Sequence, residues 1–225
     1  MPANVPMKAS QTRGLAAALL AASVSAFGGA GRAQAQAGGN QHGHAPAAAA
    51  PGDTARWTEA DVRFMSSMIG HHAQAIEMSR LAPTHGASAE VRRLAERIIN
   101  AQQDEIASMQ TWLRDRRQPV PEPVPTARMH HDQAGHQMMP GMLTPDQMKA
   151  LEEARGPEFD RMFLTLMIQH HSGAVSMVSQ LFGSYGAGQD DTVFKLASDI
   201  NVDQVTEIAR MQRMLADLLF GSPSQ

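Results

Sequence analysis

From Thr58 onward the chain places apolar residues three and four positions apart, and no stretch sustains the strict alternation of a strand. Thr58 with Asp61 three residues later reads as a capping-box start, and helical spacing continues to about Ala82. Pro83 and Gly86 punctuate a short turn. Ser88 can cap a second helix that runs to about Asp115. Proline then recurs at Pro119, Pro121, Pro123, Pro125 and Pro140, so residues 117–143 read as a long linker. Thr144-Pro145 opens a short helix. Gly156-Pro157 opens a third long helix, with proline in the first turn, that extends to about Phe182. Gly183, Gly186 and Gly188 mark another turn, and a fourth long helix spans about Asp190 to Phe220.

The two halves repeat each other. At an offset of 99, the seam Phe64, Met68, His71, Ala75, Met78 meets Phe163, Met167, His170, Ala174, Met177, identical at every position. The neighbouring seam Met65, Ile69, His72, Ile76 meets Leu164, Ile168, His171, Val175. After a longer second turn the offset becomes 102. Val91, Ala95, Ile98, Gln102, Glu105 and Met109 then meet Val193, Ala197, Ile200, Gln204, Glu207 and Met211. Such self-similarity implies a duplicated unit. The chain is read as all-α: a four-helix bundle of two repeated helical hairpins over residues 57–220, with the linker as crossover.

Composition narrows the chemistry. Aromatics make 4% of the 225 residues, against 16 Met and 10 His, so methionine must fill much of the core. Cysteine is absent, which excludes disulfide frameworks, thiolate zinc sites, iron–sulfur clusters and thiol catalysis. The formal charge of −3 and the lack of a basic block argue against nucleic acid as a partner.

Residues 1–37 read as a secretory signal peptide. Lys8 and Arg13 precede the apolar run Gly14 to Ala30, and AQAQA follows with small residues at the expected cleavage position. The run is shorter than the roughly 20 residues a membrane span needs. Cleavage would remove Lys8, Arg13 and Arg32 but no acid, leaving a formal −6 and no later stretch able to span a bilayer. The expected location is therefore periplasmic or secreted. Residues 38–56 are rich in Gly, Ala and Pro and read as a flexible tether, in which His42 and His44 are plain solvated histidines.

The polar residues inside the seams carry the functional hint. A His-His pair interrupts two apolar stripes on each first helix, and Gln with Glu interrupts the second. Burying such groups unpaired costs roughly 1–3 kcal/mol each. One solution is a structural network, in which Glu105 accepts from His71 or His72 and Glu207 from His170 or His171. The other is a metal site. Imidazole suits copper, zinc, iron and nickel, and thioether selects Cu(I), so Met beside His favours copper. Met68 stands one turn from His71 and can share an ion with it, as Met167 can with His170. Met78 and Met177 complete the candidate set. Met78, about 10 Å along the axis from His71, cannot join the same ion from the same helix. With a turn spanning Pro83 to Ala87, Glu105 falls a turn away from the histidines. Met65 and Met109 read as core.

The linker holds a second cluster, Met129, His130, His131, His136, Met138, Met139 and Met142, in MHHDQAGHQMMPGM. No helical core accounts for these methionines, and such a cluster suits copper capture without thiols. Enzyme motifs are missing: no Glu is followed by His three residues later, as a di-iron bundle requires, and there is no zincin motif or nucleophile elbow.

MIGHHAQAIEM, from Met68 to Met78, and MIQHHSGAVSM, from Met167 to Met177, resemble the paired signature of domain-of-unknown-function family 305. NAQQDEIASMQTWL, from Asn100 to Leu113, resembles its second-helix signature. The resemblance covers about Trp57 to Leu219. It implies a ferritin-like four-helix bundle, commonly exported in bacteria, with some members associated with copper binding and tolerance. The family often has Pro before the His pair, where this chain has Gly70 and Gln169. The fourth helix departs from the second, with Val205 at Gln103, Thr206 at Asp104 and Met214 at Trp112, so the first half is the better candidate if only one binds metal. The expected function is an exported protein that sequesters or delivers copper ions. The alternatives are a structural or interaction bundle with a His–Glu network, and a redox enzyme at a bundle metal site.

Overall fold

A computed structural model describes residues 56–124 and 138–221. The segments read as signal peptide, most of the tether and the centre of the linker lie outside the described residues. Five helices follow in order: α1 (Glu59–Ser79), α2 (Ala89–Asp115), α3 (Pro145–Glu153), α4 (Gly156–Gly183) and α5 (Asp191–Phe220). No strand occurs among the described residues.

Local chemistry sets the helix starts. Thr58 and Asp61 form the capping box of α1, Thr144 and Gln147 that of α3, and the side chains of Ser88 and Asp190 cap α2 and α5. α4 begins with proline in its first turn and without a side-chain cap. The first helix stops earlier than its periodicity suggests. It ends at Ser79, and residues 80–86 turn instead of continuing to Ala82.

α1 packs along α2, α4 along α5, and α1 crosses α4, while the short α3 lies on α4. Two apolar clusters fill the bundle. One joins Phe64, Met68 and Met109 to Met177, Val193 and Ile200. The other joins Phe163, Met167 and Met211 to Met78, Val91 and Ile98. Every residue of the first set has its repeat partner in the second. The two hairpins are therefore antiparallel, and the pseudo-twofold exchanges the two ends of the bundle. Methionine fills much of this core: Met65, Met68, Met78 and Met109 are all fully buried, each worth roughly 1.5–3 kcal/mol.

Buried carboxylates tie the hairpins together. Gly188 N donates to Asp61 Oδ1 at 2.7 Å, and Ser88 N donates to both oxygens of Asp160 at 3.2 and 3.1 Å. Asp61 and Asp160 are repeat equivalents, so each hairpin's first helix grips the other hairpin's turn. A third tie joins the end of α2 to the start of α5. Trp112 Nε1 donates to Asp190 Oδ1 at 3.0 Å, and Arg116 pairs with Asp190 Oδ2 while lying over the Trp112 ring.

Candidate metal centre

Each of the four long helices carries a pair of polar residues near its midpoint, where the two apolar clusters meet. α1 contributes His71 and His72, α4 contributes His170 and His171, and all four imidazoles are at most 1% exposed. α2 contributes Gln102 and Glu105, and α5 contributes Gln204 and Glu207. The expectation that adjacent histidines face different neighbours holds. His71 and His72 have ring centroids 6.5 Å apart, and His170 and His171 6.2 Å.

The layer sorts into an inner pair and two outer pairs. His71 and His170 meet between the hairpins, with centroids 3.9 Å apart and planes tilted by 40°. Outside them, His171 Nε2 hydrogen-bonds Glu207 Oε2 at 2.7 Å. His72 Nε2 lies 2.8 Å from Glu105 Oε2, an approach off the line of a hydrogen bond. Glu105 is thus beside His72, not a turn away. Each side chain leans toward its own helix's N-terminus, and in an antiparallel pair those leans converge.

The inner imidazoles are neutral. Burial, followed by the neighbouring His72, pushes His71 down to about 3. Burial, followed by His71, holds His170 well below the usual histidine range. The proton of neutral His71 can be placed. Its Nε2 lies 3.0 Å from Pro140 O, a carbonyl that can only accept, so Nε2 donates and Nδ1 holds the lone pair. Among the described residues Nδ1 of His71, His72 and His171 has no hydrogen-bond partner, and His170 lacks one at both nitrogens. Both polar atoms of Gln102 and the Oε1 of Gln204 are also unpartnered there. Metal-ligating histidines commonly give one N–H to a carbonyl or carboxylate and bind through the other nitrogen. His71 and His171 already have that half of the arrangement. Among the described residues no three His, Asp or Glu side chains converge as a finished cage.

A third carboxylate lies near the outer pairs. Burial first, then Glu105, Glu207 and Asp199, pushes the Asp203 carboxyl above its ordinary range.

The methionines are divided between the two ends. Met68 and Met177 lie in one apolar cluster, and Met78 and Met167 in the other. Linker residues Met129, His130, His131 and His136 lie outside the described residues. Of the rest, Met138 is exposed, Met139 packs against the first cluster and Met142 is buried. Core packing therefore accounts for Met139 and Met142, contrary to the sequence expectation that no core explains them.

Sequence reasoning missed Pro140, whose carbonyl carries no side-chain signal. It also missed Gln74, which binds Leu143 next to the histidines. The usable hint was a break in the repeat, since Gly173 stands where Gln74 does.

A family model, domain of unknown function DUF305, matches residues 61–215. No curated protein matches the chain. A DUF305 fragment from Deinococcus radiodurans is 29% identical over 71% of this chain and 97% of its own, with a TM-score of 0.59. A predicted secreted DUF305 protein from Streptomyces coelicolor is 30% identical over 76% of this chain and 100% of its own, with a TM-score of 0.60. CopM in its Cu(I)-bound form is 30% identical over 73% of this chain and 99% of its own, with a TM-score of 0.54. CopM has also been solved with Cu(II) and with silver.

Proposed function

The chain belongs to the DUF305 family, and from that premise we propose that it is an exported protein that binds copper ions for sequestration or delivery. The observation that carries this reading is the buried layer of imidazoles with unpartnered nitrogens, an expensive arrangement for a fold to maintain without a ligand. Burial disfavours the charged form of the inner pair, so each ring keeps one lone-pair nitrogen for a cation at physiological pH, Nδ1 in the case of His71. Nitrogen donors between thioether-bearing clusters suit copper, and Cu(I) above all. CopM, a structural relative, has been solved with Cu(I), Cu(II) and silver.

In this reading His71, His72, His170 and His171 form the fixed sites, with Met68 and Met167 as thioether donors. Glu105 and Glu207 hold the outer imidazoles in place. The linker residues from Met129 to Met138 act as a capture arm, and residues 1–37 direct export. The predicted secreted relative supports export, and no helix among the described residues is long and apolar enough to cross a membrane.

The test is a Cu(I) titration of residues 38–225 beside a variant with Ala at all four helix histidines, both checked for helicity by circular dichroism. Copper bound by the parent and lost from a still-helical variant supports a bundle site. Copper kept by the variant moves the function to the linker. A structural network is the second reading, favoured by the 2.7 Å bond from His171 to Glu207. It predicts that neither protein binds copper and that the variant is less stable.

A further inference from the structure

The repeat breaks inside the layer. Position 74 on α1 and position 173 on α4 are equivalent, yet one is Gln and the other Gly. Both serve the same passing segment, the end of the linker. Gln74 Nε2 donates to Leu143 O at 3.1 Å, and Leu143 N donates to Gln74 Oε1 at 2.7 Å. Gly173 lies directly beneath the segment. A Cβ there would sit 2.0 Å from Pro140 O and 2.6 Å from Gly141 Cα, closer than real Cβ atoms approach backbone. Gly141 has a φ of +76°, and a Cβ on it would meet Gln169 O, His170 O and Gly173 Cα within 2.8 Å. Only glycine fits at both points of the crossing.

This segment also supplies the acceptor for His71. The Pro140 carbonyl takes the Nε2 proton at 3.0 Å, and among the described residues His170 makes no hydrogen bond to the strap. We propose that residues 140–143 form a strap that fixes His71 as its Nε2–H tautomer and closes one side of the inner His71/His170 pair, with Gly173 and Gln74 as its positioning residues. The gating half of this inference rests on the copper reading above. The tautomer half does not.

The strap makes the two halves of the repeat unequal. His71 presents Nδ1 as a ready donor, while no contact with the strap sets the tautomer of His170. An ion reaching the pair from the strap's side must move the Pro140 carbonyl off His71.

The experiment uses the full chain and two variants, Gly173→Ala, which fills the seat, and Gln74→Ala, which removes two hydrogen bonds without adding bulk. Long-range 1H–15N spectra of metal-free, histidine-labelled protein read the tautomer, and stopped-flow mixing with Cu(I) reads uptake. In the parent, His71 shows its proton on Nε2. In the variants its two nitrogens move toward averaged shifts, His72 and His171 stay unchanged, and uptake quickens about tenfold, the scale of one released hydrogen bond. Unchanged His71 spectra, or unchanged uptake, in a variant of parental helicity overturn the strap. Gln74→Ala decides if Gly173→Ala does not fold. A parent that takes up no copper sinks the functional reading, and the spectra alone then decide the strap.

Discussion

His71 and His170, equivalent residues of the two hairpins, meet with their ring centroids 3.9 Å apart. Two cations would not share that space, and burial holds both rings well below the usual histidine range. The unfolded chain takes up these protons near pH 6.5, and folded His71 only near 3. The unfolded state therefore binds more protons across that interval, and stability rises with pH through it. Above pH 6.5 the effect is flat. Acidification from 6.5 toward 3 is expected to lower the urea midpoint, and the double variant His71→Gln/His170→Gln to flatten part of that slope. An identical slope in parent and variant would refute the assignment.

The cross-hairpin carboxylates predict an ordered pair of losses. Asp160→Ala leaves Ser88 N without its acceptor and is expected to cost about 1–3 kcal/mol. Asp61→Ala breaks the tie to Gly188 and the α1 capping box as well, adding roughly 1 kcal/mol. Denaturant unfolding at constant m-value measures both.

Trp112→Phe keeps most of the packing but removes the donor to Asp190 Oδ1 and weakens the ring beneath Arg116. The expected cost is about 1–2 kcal/mol. Asp190→Ala should cost more, because Asp190 also caps α5 and pairs with Arg116. Thermal unfolding of the two variants gives the order, and equal midpoints would argue against the shared role of Asp190.

Leucine substitutions separate packing methionines from donors. Met109→Leu should cost under about 1.5 kcal/mol and leave copper binding unchanged. Met68→Leu and Met167→Leu should be similarly tolerated by the fold but weaken Cu(I) more than Cu(II). Competition titration with a chromophoric chelator reads the difference. Equal Cu(I) affinity in all three variants would remove thioethers from the site.

Much of this fold was legible because the duplication displays the pattern twice. The seams of Phe64 and Phe163 fixed the faces of α1 and α4, and Thr58, Ser88 and Gly156-Pro157 marked helix starts through local capping chemistry. The His pairing with Glu was foreseen in kind, but its level along the bundle was not. Residue counting tracks Cα positions and ignores the opposed lean of His72 and Glu105. The strap was illegible for a different reason. Its contacts run through backbone atoms of Pro140, Gly141 and Leu143, and a carbonyl has no letter in the sequence. The ties of Asp61 and Asp160 were hidden likewise, since their partners are the backbone N–H groups of Gly188 and Ser88.

Those two aspartates have a consequence for the hairpin as a unit. Taken alone, either hairpin would hold one carboxylate with no turn to grip and one turn with no carboxylate to receive it. Two such hairpins answer each other's need, as the halves of an isologous dimer do. The crossover thus converts what would be a concentration-dependent association into an intramolecular one, and dilution cannot separate the halves.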